Sequence, residues 1–176
     1  MMATAREGRA QTVNATYAYT TPSSTRTLTF AQSSPKSRID FGNGTFAIYT
    51  GTIFHECTHV KCKVLRGSAS PRAQLANVYN GQTFLLTMQA VVLGASQRAA
   101  YGLTVHFSRA TYARQPSRCV TLEITKQEPG TVTLCETASG IMDHEAAGTS
   151  SATLVSLTKR PPASDFVVPR QPARTR

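Results

Sequence analysis

From residue 26 to residue 160 the chain alternates apolar and polar positions with a period of two. In RTLTFAQ, Leu28 and Phe30 alternate with Thr27 and Thr29, and in GTFAIYT, Phe46 and Ile48 alternate with Thr45, Ala47 and Tyr49. QTFLLTMQAVVL sets Phe84, Leu86, Met88, Ala90 and Val92 on one face, and YGLTVHFSR sets Leu103, Val105 and Phe107 opposite Thr104, His106 and Ser108. Successive side chains of a strand point to opposite faces, so each segment reads as a strand with one buried face. Val120, Leu122 and Ile124 alternate with Thr121, Glu123 and Thr125; after Glu128-Pro129-Gly130 the pattern returns with Val132 and Leu134. A Pro-Gly turn between alternating runs predicts a β-hairpin.

A last alternating run, SATLVSLTKR, gives about eight strands, punctuated by Gly42-Asn43-Gly44, Asn80-Gly81 and Gly94. Residues 70–79 and 96–101 read as short helical turns, and there is no long amphipathic helix. Antiparallel strands in this number predict an all-β domain over residues 26–159, a single sandwich of jelly-roll type.

The two ends lack this pattern. Residues 1–25 are rich in Thr, Ser and Ala, and residues 160–176 carry Pro161, Pro162, Pro169 and Pro172. Both read as extended arms. The second arm holds Arg160, Arg170, Arg174 and Arg176 against one acid, Asp165.

Charge sharpens the picture. Nineteen Lys and Arg against nine Asp and Glu give +10, which favours an anionic partner, nucleic acid or an acidic protein surface. Between Cys57 and Leu122 there is no Asp or Glu, while Lys61, Lys63, Arg66, Arg72, Arg98, Arg109, Arg114 and Arg118 are all basic. With Arg170, Arg174 and Arg176 these form the candidate binding set. No apolar run is long enough to cross a bilayer as a helix, so no membrane partner is expected. The N-terminal residues lack a signal-type apolar core, which predicts an intracellular chain with unused sequons at Asn14 and Asn43. Cys57, Cys62, Cys119 and Cys135 then read as free thiols, with a Cys119–Cys135 bridge across the hairpin as the alternative.

Residues 55–59, HECTH, spell the HExxH signature and resemble the zinc metallopeptidases, with Thr52 and Val60 in keeping and Lys61 out of keeping with that consensus. The resemblance implies His55 and His59 as zinc ligands and Glu56 as general base. On a helix, positions i and i+4 share a face, as such a site requires. On a strand, His55, Cys57 and His59 share a face instead. The motif has no HxxGxxH extension, and a third ligand would have to be His106 or a later acid such as Glu123 or Asp143. The surrounding positive charge repels a dication. No phosphate-binding loop, dinucleotide fingerprint or nucleophile elbow occurs.

A basic β-sandwich with arms and no complete catalytic set is similar in architecture to the single jelly-roll proteins of virus shells. That likeness implies a structural protein of the virion, capsid or cement subunit, without cofactor, tied to copies of itself or to other shell subunits through the arms. The alternatives are a zinc peptidase at residues 55–59 and a basic nucleic-acid-binding β-domain.

Overall fold

The computed structural model describes residues 10–65, 95–126 and 129–169. They form one antiparallel sheet of eleven strands: β1 (Thr12–Thr21), β2 (Ser24–Ser33), β3 (Lys36–Asp40), β4 (Thr45–Tyr49), β5 (Phe54–Thr58), β6 (Cys62–Leu65), β7 (Leu103–Tyr112), β8 (Gln115–Ile124), β9 (Gly130–Thr137), β10 (Met142–Ala147) and β11 (Ser150–Thr158). The order across the sheet is β6-β5-β4-β3-β2-β1-β11-β10-β9-β8-β7. A short helix, α1 (Ala95–Tyr101), precedes β7, and a 3₁₀ turn covers Ala163–Phe166.

All-β architecture is therefore correct, but the strands lie in one sheet. Two meanders, β1 to β6 and β7 to β11, join where β1 pairs with β11. Val13, Ala15 and Tyr17 of β1, Leu28 and Phe30 of β2, Ile39 of β3 and Ala47 of β4 pack in one cluster with Val120 and Leu122 of β8, Leu134 of β9, Met142 of β10 and Ala152 and Leu154 of β11. Phe54 of β5 and Leu103 of β7, from near the two edges, join the same cluster. Strands from both ends of the order feed one core, so the sheet curls around it. Each fully buried side chain of the Phe30 or Ile39 class contributes about 1.5–3 kcal/mol by leaving water.

Residues 12–21 correct the reading of an N-terminal arm, because they are the central strand β1. Their inward positions are Val13, Ala15 and Tyr17, and the Tyr17 hydroxyl donates to the Met142 carbonyl at 2.7 Å. The C-terminal segment, as far as residue 169, lies on its own sheet. Arg38 of β3 donates to the Asp165 carbonyl at 3.5 Å and lies 4.1 Å from the Phe46 ring centroid, and Val168 packs on Phe46, Ile48 and Cys57. This second cluster is separate from the main core. The strand expected at 82–93, the helical turn at 70–79 and the turns at Asn80-Gly81 and Gly94 fall outside the described residues; the helical turn near 96–101 is α1.

Turn chemistry sets the register. Gly42, at φ +68°, closes β3 onto β4, donates its N–H to Asp40 Oδ1, and leaves no room for a Cβ against the Thr27 carbonyl. The cysteines also correct expectation, since Cys57–Cys62 and Cys119–Cys135 are both disulfides and no described cysteine is free. Each joins directly opposed residues of neighbouring strands with Cα atoms 4.0 Å apart. That close spacing belongs to the non-hydrogen-bonded pairs of an antiparallel ladder.

Candidate functional site

The HECTH segment is strand β5 and the turn after it, which removes the helix a zinc peptidase needs. His55 lies opposite Ile48 and Val64, and Glu56, on the other face, pairs with Lys63 at 2.8 Å. His59 lies in the exposed turn, 6.4 Å ring to ring from Phe46. Cys57 is engaged in its disulfide, so its sulfur is not a free thiolate. Among the described residues no three His, Cys, Asp or Glu side chains converge as a metal site.

The basic residues separate into groups. Lys61 and Lys63 lie at the β6 edge, and Arg98 lies on α1. Arg66, Arg72, Arg170, Arg174 and Arg176 lie outside the described residues. Arg109, Arg114 and Arg118 are brought together by the β7–β8 hairpin at the opposite edge. Arg109 and Arg118 are directly opposed across the two strands, and Arg114 sits in the turn that joins them. All three are exposed, and none forms an ion pair with another described residue. Like charges directly opposed across strands are destabilising, by a few tenths of a kcal/mol up to about 1.

The hairpin turn adds to that cost. Ala113 and Arg114 have φ of +45° and +63°, the left-handed pair of a two-residue turn that normally carries Asn-Gly. A side chain in that region costs roughly 1–2 kcal/mol per residue. The same two residues end the longest pair of matched strands at this edge, with ten consecutive partners from Leu103↔Ile124 to Tyr112↔Gln115.

A cluster of buried polar groups lies next to this hairpin. Glu136 of β9 faces Arg118 across the ladder and is 2% exposed, with neither carboxylate oxygen hydrogen-bonded. Burial pushes its pKa up to about 7; Arg118 pulls it down and Asp143 raises it. Asp143, beside the irregularity in β10, is fully buried and accepts from the Ser117 hydroxyl. Its pKa is about 6, raised by burial against the lowering effect of that bond. His144 stacks on Tyr112 with centroids 4.7 Å apart and bonds Thr153 Oγ1 through Nδ1 at 2.9 Å. Burial lowers the His144 pKa; Tyr112 is raised by burial and then by Asp143, and Glu145 is raised by burial.

His144, which reads in sequence as an exposed loop residue, is thus a half-buried strand residue. The Ser117 hydroxyl bonds the acid while His144 bonds Thr153, so these three do not form a nucleophile–base–acid relay. Sequence reasoning missed Glu136 and named Asp143 only as a possible third zinc ligand. One signal was present: Glu136 continues the inward parity of Val132 and Leu134, and an acid on a core stripe marks an unusual environment. On the outer face of β3, a cleft of about 290 Å³ between the strands and the C-terminal segment is lined by Arg38, Asp40, Asn14 and Asp165 among others.

No family model matches the chain, and no curated protein does. Solved structures do. A crystal structure of MucB in complex with MucA(peri) superposes with a TM-score of 0.52 at 12% identity, covering 95% of this chain and 57% of the MucB chain. MucB solved by itself gives 0.52 at 13% identity, over 97% of this chain and 62% of that one. The Pseudomonas aeruginosa MucA/MucB complex gives 0.53 at 13%, over 94% and 58%. At these identities the likeness is one of fold, and the chain spans about three fifths of the length of the MucB chains it matches. The virus-shell reading, with its virion localisation, is overturned: the fold neighbours are MucB, not capsid or cement subunits.

Proposed function

We propose that this chain is a non-catalytic binding module that holds a segment of another protein and functions in an oxidising compartment. The observation that carries this reading is the fold: nearly the whole chain superposes on MucB, and two of the matching structures contain MucB together with MucA. The two disulfides support the compartment, because cross-strand pairs of this kind persist where thiols are not kept reduced. The lack of a relay among Ser117, Asp143 and His144 supports binding over catalysis.

The charge of +10 favours an acidic partner segment, and no cofactor is required for such a role. The test is site-specific photo-crosslinking in the native cell, with the crosslinker placed in turn at exposed positions of β6, β7 and β11. One polypeptide captured reproducibly from one face, and binding the purified chain when itself purified, supports the reading. Capture of no polypeptide, or turnover of a small substrate by the purified chain, contradicts it.

A further inference from the structure

The strand β7 is ten residues long, stands at the end of the sheet order and, among the described strands, pairs only with β8. Which of its backbone groups face outward follows from the ladder. Cys119 and Cys135 oppose one another with Cα atoms 4.0 Å apart, a non-hydrogen-bonded pair, so the Cys119 N–H and C=O point to β7 and its partner Ser108. The Thr125 N–H donates to the Gly102 carbonyl at 3.2 Å, which places the even-numbered positions of β7 on the β8 side independently. Val105, Phe107, Arg109 and Thr111 therefore direct their N–H and C=O groups away from the sheet, and no described group takes them.

The side chains of this set change from apolar to polar along the edge. Phe107 is 60% exposed, an apolar ring on an open edge, and Arg109 follows two positions later on the same face. Arg118 is directly across from Arg109 and Arg114 is in the turn beyond, so three cations, with no ion pair among the described residues, flank one end of the open edge. An edge ten residues long is a template for a further strand unless it is blocked, and β7 itself holds no proline and pairs with β8 without a bulge.

We infer that β7 receives an extended acidic segment of the partner protein by strand addition, with an apolar partner residue against Phe107 and an acidic one, two positions away, against Arg109 and Arg118. This rests on the protein-binding reading and adds the place, the backbone mode and the sequence character of the segment. The cross-strand repulsion of Arg109 and Arg118 and the left-handed Ala113-Arg114 turn are local costs that an incoming carboxylate offsets in part. A second copy of this chain is a poor occupant, because its own β7 brings a further arginine to the edge and holds no carboxylate to meet Arg109 and Arg118.

The test uses the full oxidised chain and a fluorescent eight-residue peptide whose alternate positions are valine and glutamate in turn with threonine between them, so that a valine and a glutamate two positions apart share one face, followed by anisotropy. The expected result is saturable binding that weakens at least tenfold in the Arg109→Glu/Arg118→Glu double variant. It weakens similarly when the peptide's alternate amides are N-methylated, and the lysine–valine counterpart does not bind. Arg118→Gln, with far-UV dichroism and thermal melting as controls, guards against a folding failure of the double variant. Equal binding of the N-methylated peptide, of the lysine–valine peptide, or of an RNA oligomer in its place overturns strand addition by an acidic segment. A dimer in sedimentation that is lost in Phe107→Asp overturns it also, in favour of a second copy. A purified partner that still binds the double variant with unchanged affinity leaves protein binding standing and removes β7 as its site; no polypeptide binding at all removes both.

Discussion

Replacing Glu136 with Gln tests the energetics of the buried acids. In the unfolded chain this carboxyl loses its proton near its ordinary value of 4.5, whereas in the fold it holds the proton until about pH 7. A carboxyl whose pKa is raised by folding contributes stability that is complete below pH 4.5 and is lost as the pH rises through about 7. At 1.36 kcal/mol per pH unit the displacement corresponds to roughly 3 kcal/mol, and exposed Arg118 with its surrounding water screens part of it, so about 2 kcal/mol is expected. Glu136→Gln keeps the shape and cannot ionise. It should leave stability nearly unchanged at pH 4.5 and raise it by about 2 kcal/mol at pH 8.5. Asp143, raised to about 6, contributes a slope of the same sign in both proteins. His144, lowered by burial, acts oppositely below its ordinary value of 6.5 and cancels in the comparison. The assay is urea unfolding followed by far-UV dichroism at half-unit steps from pH 4.5 to 8.5. Parallel curves for the two proteins, or a variant that loses stability at high pH, would refute the reasoning.

Other substitutions probe separate parts of the account. Arg114→Gly removes a side chain from the left-handed region and should stabilise the protein by about 1 kcal/mol in urea titration. Tyr17→Phe deletes the buried bond to the Met142 carbonyl, leaves that acceptor without its donor, and should cost about 1–3 kcal/mol in the same assay. The Cys119→Ala/Cys135→Ala pair releases a crosslink spanning 16 positions and should cost about 3 kcal/mol, roughly 1 more than Cys57→Ala/Cys62→Ala, which spans 5. Glu56→Gln removes the charge that exposed Lys63 pairs with; thermal melting should show a change within about 1 kcal/mol.

Strand patterns were readable where the inward positions are large and apolar. Leu28 and Phe30, Val120 and Leu122, and Leu134 all lie in the core as the alternation implies. β1 was not readable, because its inward set includes only small Val13 and Ala15 and an aromatic, Tyr17, that carries a hydroxyl among many threonines. HECTH illustrates the limit of a local motif. The same residues satisfy a helical and a strand spacing, and it is the pairing of β5 with β4 and β6 that decides between them. Pairing at long range is also why period two gave all-β but not one curled sheet in place of a sandwich: alternation tells which side of a strand is buried and not what buries it. Through the compartment argument Cys57–Cys62 was missed and Cys119–Cys135 was kept only as the alternative, although Cys57 and Cys62 flank a turn at a spacing that directly opposes them. The arginines at 109, 114 and 118 were visible as charges; their convergence required the hairpin register.

The central claim is that the chain binds a polypeptide. Titration calorimetry between the purified oxidised chain and the partner identified by crosslinking tests it most directly. The account predicts a saturable one-to-one complex that weakens steeply as salt is raised from 50 to about 200 mM, as expected for pairing between exposed arginines and carboxylates. No heat of binding at any salt concentration, with the partner shown to be folded and intact, would contradict it.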